Sequence, residues 1–290
     1  MTADDTEETR PGAVPSAVRA VYGPDDLSSA PVFRGGFINF GYWDGIRPDG
    51  PLTVEDRVRS ERQLYRRVLD ALGPDGNGRR RGRALEVGCG LGVGCALALE
   101  EYPYDSVTGM DIHPDQLDRA RRANAALLAG TPWRLRLVRG AAERMPFDDA
   151  EFDQVYSVEA AQHFRDLEAF ARGCARVLRP GGRAAVASFF VPGDETRPEA
   201  ARELAVRLDS FASGLDVARP VGALTGALAA AGLADVRAVS LGASVWPGLD
   251  RYLEGLHLGV SWPRDFLRSY RDGLLDYYLV TADRPTDQRN

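Results

Sequence analysis

Glu86 stands two residues ahead of three glycines at alternate positions, Gly88, Gly90 and Gly92, in the run Ala84-Leu-Glu-Val-Gly-Cys-Gly-Leu-Gly-Val-Gly94. Glycines at this spacing let backbone pass close to a ligand, and the helix start behind them offers unpaired N–H groups. The dinucleotide pattern G-x-G-x-x-G would need its third glycine at Val93 or Cys95, and neither is glycine. A phosphate loop would need Lys-Ser/Thr after the last glycine, where the chain has Cys95-Ala96. What stays is acid-x-G-x-G-x-G. Nineteen residues after Gly92 comes Asp111, whose carboxylate can accept both hydroxyls of a ribose, or simply cap the helix that Pro114 opens.

These residues need rigid elements to position them, and the chain supplies a strand–helix alternation from Ala84 onward. Strands are expected at 84–88, 106–112, 134–138, 152–157, 184–190, 234–241 and 276–282. Helices are expected at 92–102, 114–128, 166–178 and 219–232, with an Arg179-Pro-Gly-Gly-Arg turn before the fifth strand and a mixed region over 245–273. Such alternation implies an α/β fold, a doubly wound, mostly parallel seven-stranded Rossmann-like sheet covered on both faces. In that architecture ligands bind beyond the carboxyl ends of the strands. The charged segment 192–218 interrupts the pattern and is expected as a cap insertion over that edge. Residues 1–15 read as a disordered polar tail and 16–80 as an N-terminal helical lid. Within the lid, Val54–Leu72 has the spacing of an amphipathic helix. The segment Val32–Trp43 is rich in aromatics that either cap the core or close over a small molecule. The stretch 74–83 is a linker whose arginines read as a solvated loop.

Composition narrows the partners. The 290 residues carry a net charge of −6, and all 36 basic residues are arginine, which fits codon bias in a GC-rich genome. An acidic chain of this kind has no bulk basic surface for nucleic acid or anionic lipid. Three cysteines and three histidines form no legible metal cluster, the acidic N-terminus is the opposite of a secretory signal, and no apolar stretch reaches membrane-span length. The expectation is a cytoplasmic protein that meets neither nucleic acid nor membrane.

Four motifs in order resemble the class I S-adenosylmethionine-dependent methyltransferases that act on small molecules, in the group of quinone, tocopherol, sterol and antibiotic enzymes. They are Phe40-Gly-Tyr-Trp43, the glycine turn, Gly140-Ala-Ala-Glu-Arg-Met-Pro-Phe-Asp-Asp-Ala-Glu-Phe-Asp-Gln-Val155 and Arg179-Pro-Gly-Gly-Arg183, within roughly residues 36–190. The chain departs at Ala141, where the family usually has an aspartate for the adenine amino group. The resemblance implies S-adenosylmethionine as cofactor and S-adenosylhomocysteine as product. It implies cofactor contacts from Tyr42, Glu86, Gly88, Gly90, Asp111, Ile112, Gln116, Ala142, Glu143 and Ser157. It also places the loop Ser157–Phe164 between cofactor and acceptor, which makes His163 the general-base candidate for a hydroxyl, amine or carbon acceptor.

Glu159 is the second catalytic candidate: it is free to orient His163, accept a proton or stabilise a cationic substrate. His113 is expected at a helix start beside the ribose. His257, near Trp262 and Tyr270, is open to lining the acceptor pocket or lying on the surface. An aromatic lid of Phe37, Phe40, Tyr42 and Trp43 would exclude water around the sulfonium. The lid is open to closing over its own site or, in a homodimer, over a neighbour's. The expected activity is methyl transfer to the O, N or C atom of a small, hydrophobic or aromatic natural-product-type acceptor. The alternative is a protein of the same fold that binds the cofactor but catalyses a non-methylating step such as cyclisation.

Overall fold

The computed structural model describes residues 13–23, 30–46, 50–73, 82–256 and 262–286. The short helix α1 (Ser16–Tyr22) and the long α2 (Val54–Ala71) precede the sheet. Thr53 opens α2 with a capping box, its hydroxyl accepting from the Asp56 N–H while the Asp56 carboxylate accepts from the Thr53 N–H. Then follow β1 (Arg83–Val87), α3 (Val93–Glu101), β2 (Ser106–Asp111), α4 (Pro114–Ala123), α5 (Ala125–Gly130), β3 (Leu135–Arg139), β4 (Phe152–Val158), α6 (Leu167–Val177) and β5 (Leu178–Phe190). The chain closes with α7 (Pro198–Arg207), α8 (Asp209–Ala212), α9 (Val221–Ala230), β6 (Ala234–Ser240), α10 (Gly242–Gly255), α11 (Trp262–Arg271) and β7 (Asp276–Asp283).

The seven strands lie in the order β3-β2-β1-β4-β5-β7-β6. The first five are parallel, and β7 runs antiparallel between β5 and β6. Alternate side chains of β5 serve opposite faces: Ala185, Ala187 and Phe189 join the cluster built on α2, α10 and α11, while Ala184, Val186 and Phe190 join the one built on α6 and α9. The order reverses between β1 and β4, and the crevice at such a reversal is where doubly wound sheets hold ligands. Among the described residues no helix is long and apolar enough to cross a membrane.

Three expectations about elements change. The helix expected over 114–128 breaks at Asn124, whose side-chain amide donates to the Leu91 and Ala120 carbonyls and so ties the helix to the glycine turn. The Arg-Pro-Gly-Gly turn is an excursion inside β5: the pairing steps from Phe152↔Leu178 to Gln154↔Arg183, with Gly181 at φ +80. The mixed region holds the two helices α10 and α11, α10 accommodating Pro247 in its interior.

The aromatic segment also differs from a lid over the ligand. Phe37, Phe40 and Trp43 are buried in the main core. The ring of Phe40 lies 5.1–5.9 Å from those of Phe266, Trp246 and Phe189, and Trp43 packs on Tyr252. The large apolar area of these rings is better removed from water against the sheet than held above an open site. The tail to residue 12, the stretch 74–81 and His257 lie outside the described residues.

Candidate active site

A cavity of about 240 Å³ lies at the carboxyl ends of β1, β2 and β4, under α1. Its first half is built by the glycine turn. The Gly88 and Cys89 N–H groups donate to the Met110 carbonyl, which joins the turn to β2. Gly88 has φ +78, and a Cβ there would sit 2.4 Å from Cβ of Ala160, so no larger residue fits. Asp111 at the tip of β2 accepts from the Gly90 N–H at 2.9 Å with Oδ2 and from the His113 N–H at 2.8 Å with Oδ1. A carboxylate has about four acceptor positions, so both oxygens keep capacity for ligand hydroxyls. Burial raises the Asp111 carboxyl against the pull of those two hydrogen bonds. His113 is the N-cap of α4, its Nδ1 accepting the Asp115 N–H at 3.2 Å. Ile112, Gln116, Ala142 and Glu143 line the same half, together with Ala141.

The second half carries two acid–base groups. Glu159 follows β4 with φ +52, a conformation that costs a non-glycine residue free energy and that clusters at functional positions. Its Oε2 accepts both the Phe40 N–H at 2.8 Å and the Tyr277 hydroxyl at 3.0 Å. Burial outweighs these bonds and raises the carboxyl from 4.5 to about 8. His163 ends a single 3₁₀ turn, Ala161–His163. Its Nδ1 lies 3.0 Å from the Leu215 carbonyl and 3.0 Å from Oδ1 of Asp216, so Nδ1 carries the proton, and Nε2 accepts the Tyr22 hydroxyl at 3.0 Å. Burial pulls the imidazole down, but Asp216 and the Leu215 carbonyl push harder, and the net shift is upward. Tyr22 is held from behind: Arg119 donates to the Tyr22 carbonyl at 2.8 Å and to the Gly23 carbonyl at 2.7 Å. Apolar side chains of Val18, Ile38, Val158 and Phe164 complete this end. Arg165 is the only arginine along the described lining.

Of the residues expected from sequence, Gly88, Gly90, Asp111, Ile112, Gln116, Ala142, Glu143, Glu159 and His163 thus meet around one cavity. Glu86, Ser157 and Tyr42 do not. Glu86 is fully buried behind the turn, where it accepts from the Tyr65 hydroxyl at 2.8 Å, the Cys95 thiol at 2.9 Å and the Tyr156 hydroxyl at 3.2 Å; burial raises it to about 7. It anchors α2 and α3 to β1. The hydroxyl of buried Ser157 donates to the Val87 carbonyl and braces β4 against β1. Tyr42 is pinned to α2 by backbone bonds to Ser60 and Gln63, and its ring packs against the main core. Sequence reasoning missed Tyr22, Asp216 and Tyr277. Tyr22 is 141 residues from the histidine it touches, and none of the three lies in a motif.

A family model described as "Methyltransferase domain" matches residues 85–186. A fatty-acid O-methyltransferase of Mycolicibacterium smegmatis is 35% identical over 147 residues, half of each chain. An O-methyltransferase of Aspergillus nomiae is 33% identical over 165 residues, 57% of this chain and 68% of the relative. The chain belongs to the class I S-adenosylmethionine-dependent methyltransferases. The chain spans about half the length of the first curated relatives it matches. Its fold is shared with geranyl diphosphate C-methyltransferase from Streptomyces coelicolor, solved with Mg2+, geranyl diphosphate and S-adenosyl-L-homocysteine: the TM-score is 0.71 and the identity 21%, over 85% of this chain and 91% of that one.

The residues fit the family's cofactor. Oε1 of Gln116 is buried on the cavity wall with no hydrogen-bond partner, and a Cβ on Gly90 would meet only open space. An unpaired buried acceptor beside an open backbone cradle is what a bound nucleoside would satisfy.

Proposed function

We propose that this methyltransferase moves a methyl group from S-adenosylmethionine to a small, apolar, natural-product-type acceptor, with His163 as general base. The observation that supports this best is the placement of two half-buried acid–base groups, Glu159 and His163, on the lining of the same cavity as Asp111. Asp111 would hold the ribose, the backbone at Gly88 and the open cradle at Gly90 the chain leading to sulfur, and Gln116, Ala142 and Glu143 the surroundings of the base. When bound, the cofactor supplies an activated sulfonium methyl, so the protein has to align the acceptor, keep water out and take up a proton.

The proton leaving the acceptor's oxygen, nitrogen or carbon reaches Nε2 of His163 through the Tyr22 hydroxyl, and Asp216 stabilises the imidazolium that forms. Glu159, raised to about 8, is protonated at neutral pH and offers the acceptor a hydrogen bond from Oε1. An apolar lining with acids and a single arginine favours an acceptor that is not anionic. The non-methylating alternative has no specific support: the curated relatives reported above are methyltransferases.

Calorimetry with S-adenosylmethionine and S-adenosylhomocysteine, NADH serving as control, tests the cofactor half. Binding of both adenosyl ligands, weakened by Asp111→Ala, supports the reading, and an acceptor screen then follows S-adenosylhomocysteine release. Binding of neither ligand would overturn it.

A further inference from the structure

We propose that Arg57, which lines no part of the cavity, is a positioning residue for Glu159 and acts through the peptide group that joins Asn39 to Phe40. The inference rests on the reading of Glu159 as the carboxyl facing the acceptor.

Arg57 is fully buried on α2. Its Nε donates to the Val32 carbonyl at 2.9 Å, Nη1 to the Ser60 hydroxyl at 3.2 Å and Nη2 to the Asn39 carbonyl, while Nη2 lies 3.2 Å from Oε1 of buried Glu61. The rings of Trp43 and Tyr252 cover the guanidinium at 5.7 and 5.9 Å. The Asn39 carbonyl and the Phe40 N–H belong to one peptide unit. The guanidinium therefore draws on the oxygen of the same group whose N–H donates to Oε2 of Glu159. Hydrogen bonds in such a chain polarise one another, and a low local dielectric strengthens the effect. The next residue, Gly41, turns at φ +80, and a Cβ there would lie 2.3 Å from Oγ of Ser60 and 2.8 Å from Nη1 of Arg57. The strap passes this close only because that residue is glycine.

The charged and titratable groups around Glu159 are Arg57 and Glu61 on α2, Tyr277 on β7, Asp216 after α8, Tyr22 on α1 and His163. Arg57 lowers the carboxyl where Asp216 raises it, and Glu159 in turn raises Glu61. Losing the guanidinium thus loosens the Phe40 amide and removes the opposing charge together. A lysine keeps the charge but cannot reach three acceptors as a planar fork does.

The test follows the Glu159 carboxyl by infrared spectroscopy, as the difference between each background and the same background carrying Glu159→Gln. In Arg57→Met/Glu61→Gln, which leaves no unpaired buried charge, the titration midpoint should rise by about 1 pH unit, the lower range for losing a nearby opposite charge. Arg57→Lys, which keeps the charge but cannot hold the Asn39–Phe40 peptide as the fork does, should be raised at least half as far as the double variant, and it carries the test alone if the double variant does not fold. A folded double variant with the wild-type midpoint would overturn the proposal. A lysine variant at the wild-type midpoint would too, because the charge and not the strap's position would then be responsible. Both folded variants should bind S-adenosylhomocysteine as the wild type does. A wild-type chain that binds none would refute the cofactor reading and leave the carboxyl titration to be judged separately.

Discussion

Replacing Glu159 by glutamine has an effect on stability that depends on pH with a sign and size set by the structure. Burial holds the folded carboxyl at about 8 against an ordinary value of 4.5. An acid raised in the folded state stabilises the fold below its unfolded value and loses that contribution as pH climbs toward the folded one. The window is therefore pH 4.5 to 8. Each unit is worth about 1.36 kcal/mol, so between pH 5 and pH 8 the wild type should lose about 3 kcal/mol relative to Glu159→Gln. The amide is neutral throughout, its oxygen can accept from the Phe40 N–H and the Tyr277 hydroxyl, and its NH2 can turn to the cavity.

Glu61 and Glu86 are raised in the same direction, to about 8 and about 7, so both proteins soften with pH and only their difference isolates Glu159. Urea or thermal unfolding at pH 5, 6, 7 and 8 reads that difference; about 3 kcal/mol corresponds to roughly 6–10 °C in Tm for a chain of this size. A difference that stays level across the range would mean that Glu159 is ionised in the fold, and the hydrogen-bond donor role would fall with it.

Asp111→Ala should weaken S-adenosylhomocysteine by about 10- to 100-fold, the worth of hydrogen bonds to a charged group, as measured by calorimetry. His163→Ala should lower kcat by about 10²- to 10⁴-fold once an acceptor is in hand, with little change in cofactor affinity. Because the base works only when neutral and its net shift is upward from 6.5, the acid limb of the wild-type rate profile should lie above that value. Glu86→Leu should cost about 3 kcal/mol or more in urea unfolding, because the donors on Tyr65, Tyr156 and Cys95 lose their shared acceptor, whereas Glu86→Gln should leave cofactor affinity within about twofold.

What the sequence determined by itself is the half of the site made by local backbone. A glycine turn and the residue at the tip of the next strand are placed by spacing alone, since a parallel sheet puts every strand's carboxyl end on one edge; Gly88, Gly90 and Asp111 follow from that rule, and the motif resemblance adds Ala142 and Glu143. That resemblance also pointed to the loop of Glu159 and His163, but it left the work of each open.

Tertiary structure decided that work. Tyr22 and Asp216 reach His163 from separate segments, the Phe40 amide and Tyr277 reach Glu159, and Arg57 stands behind the Phe40 peptide. It also took Glu86, Ser157 and Tyr42 out of the site, for a reason that no motif contains. A carboxylate or hydroxyl points to whichever donor or acceptor the packing leaves unpaired, and for Glu86 those were Tyr65, Cys95 and Tyr156 within the core. Backbone geometry is written locally in the chain; the partners of a buried polar side chain are chosen by elements far from it in sequence.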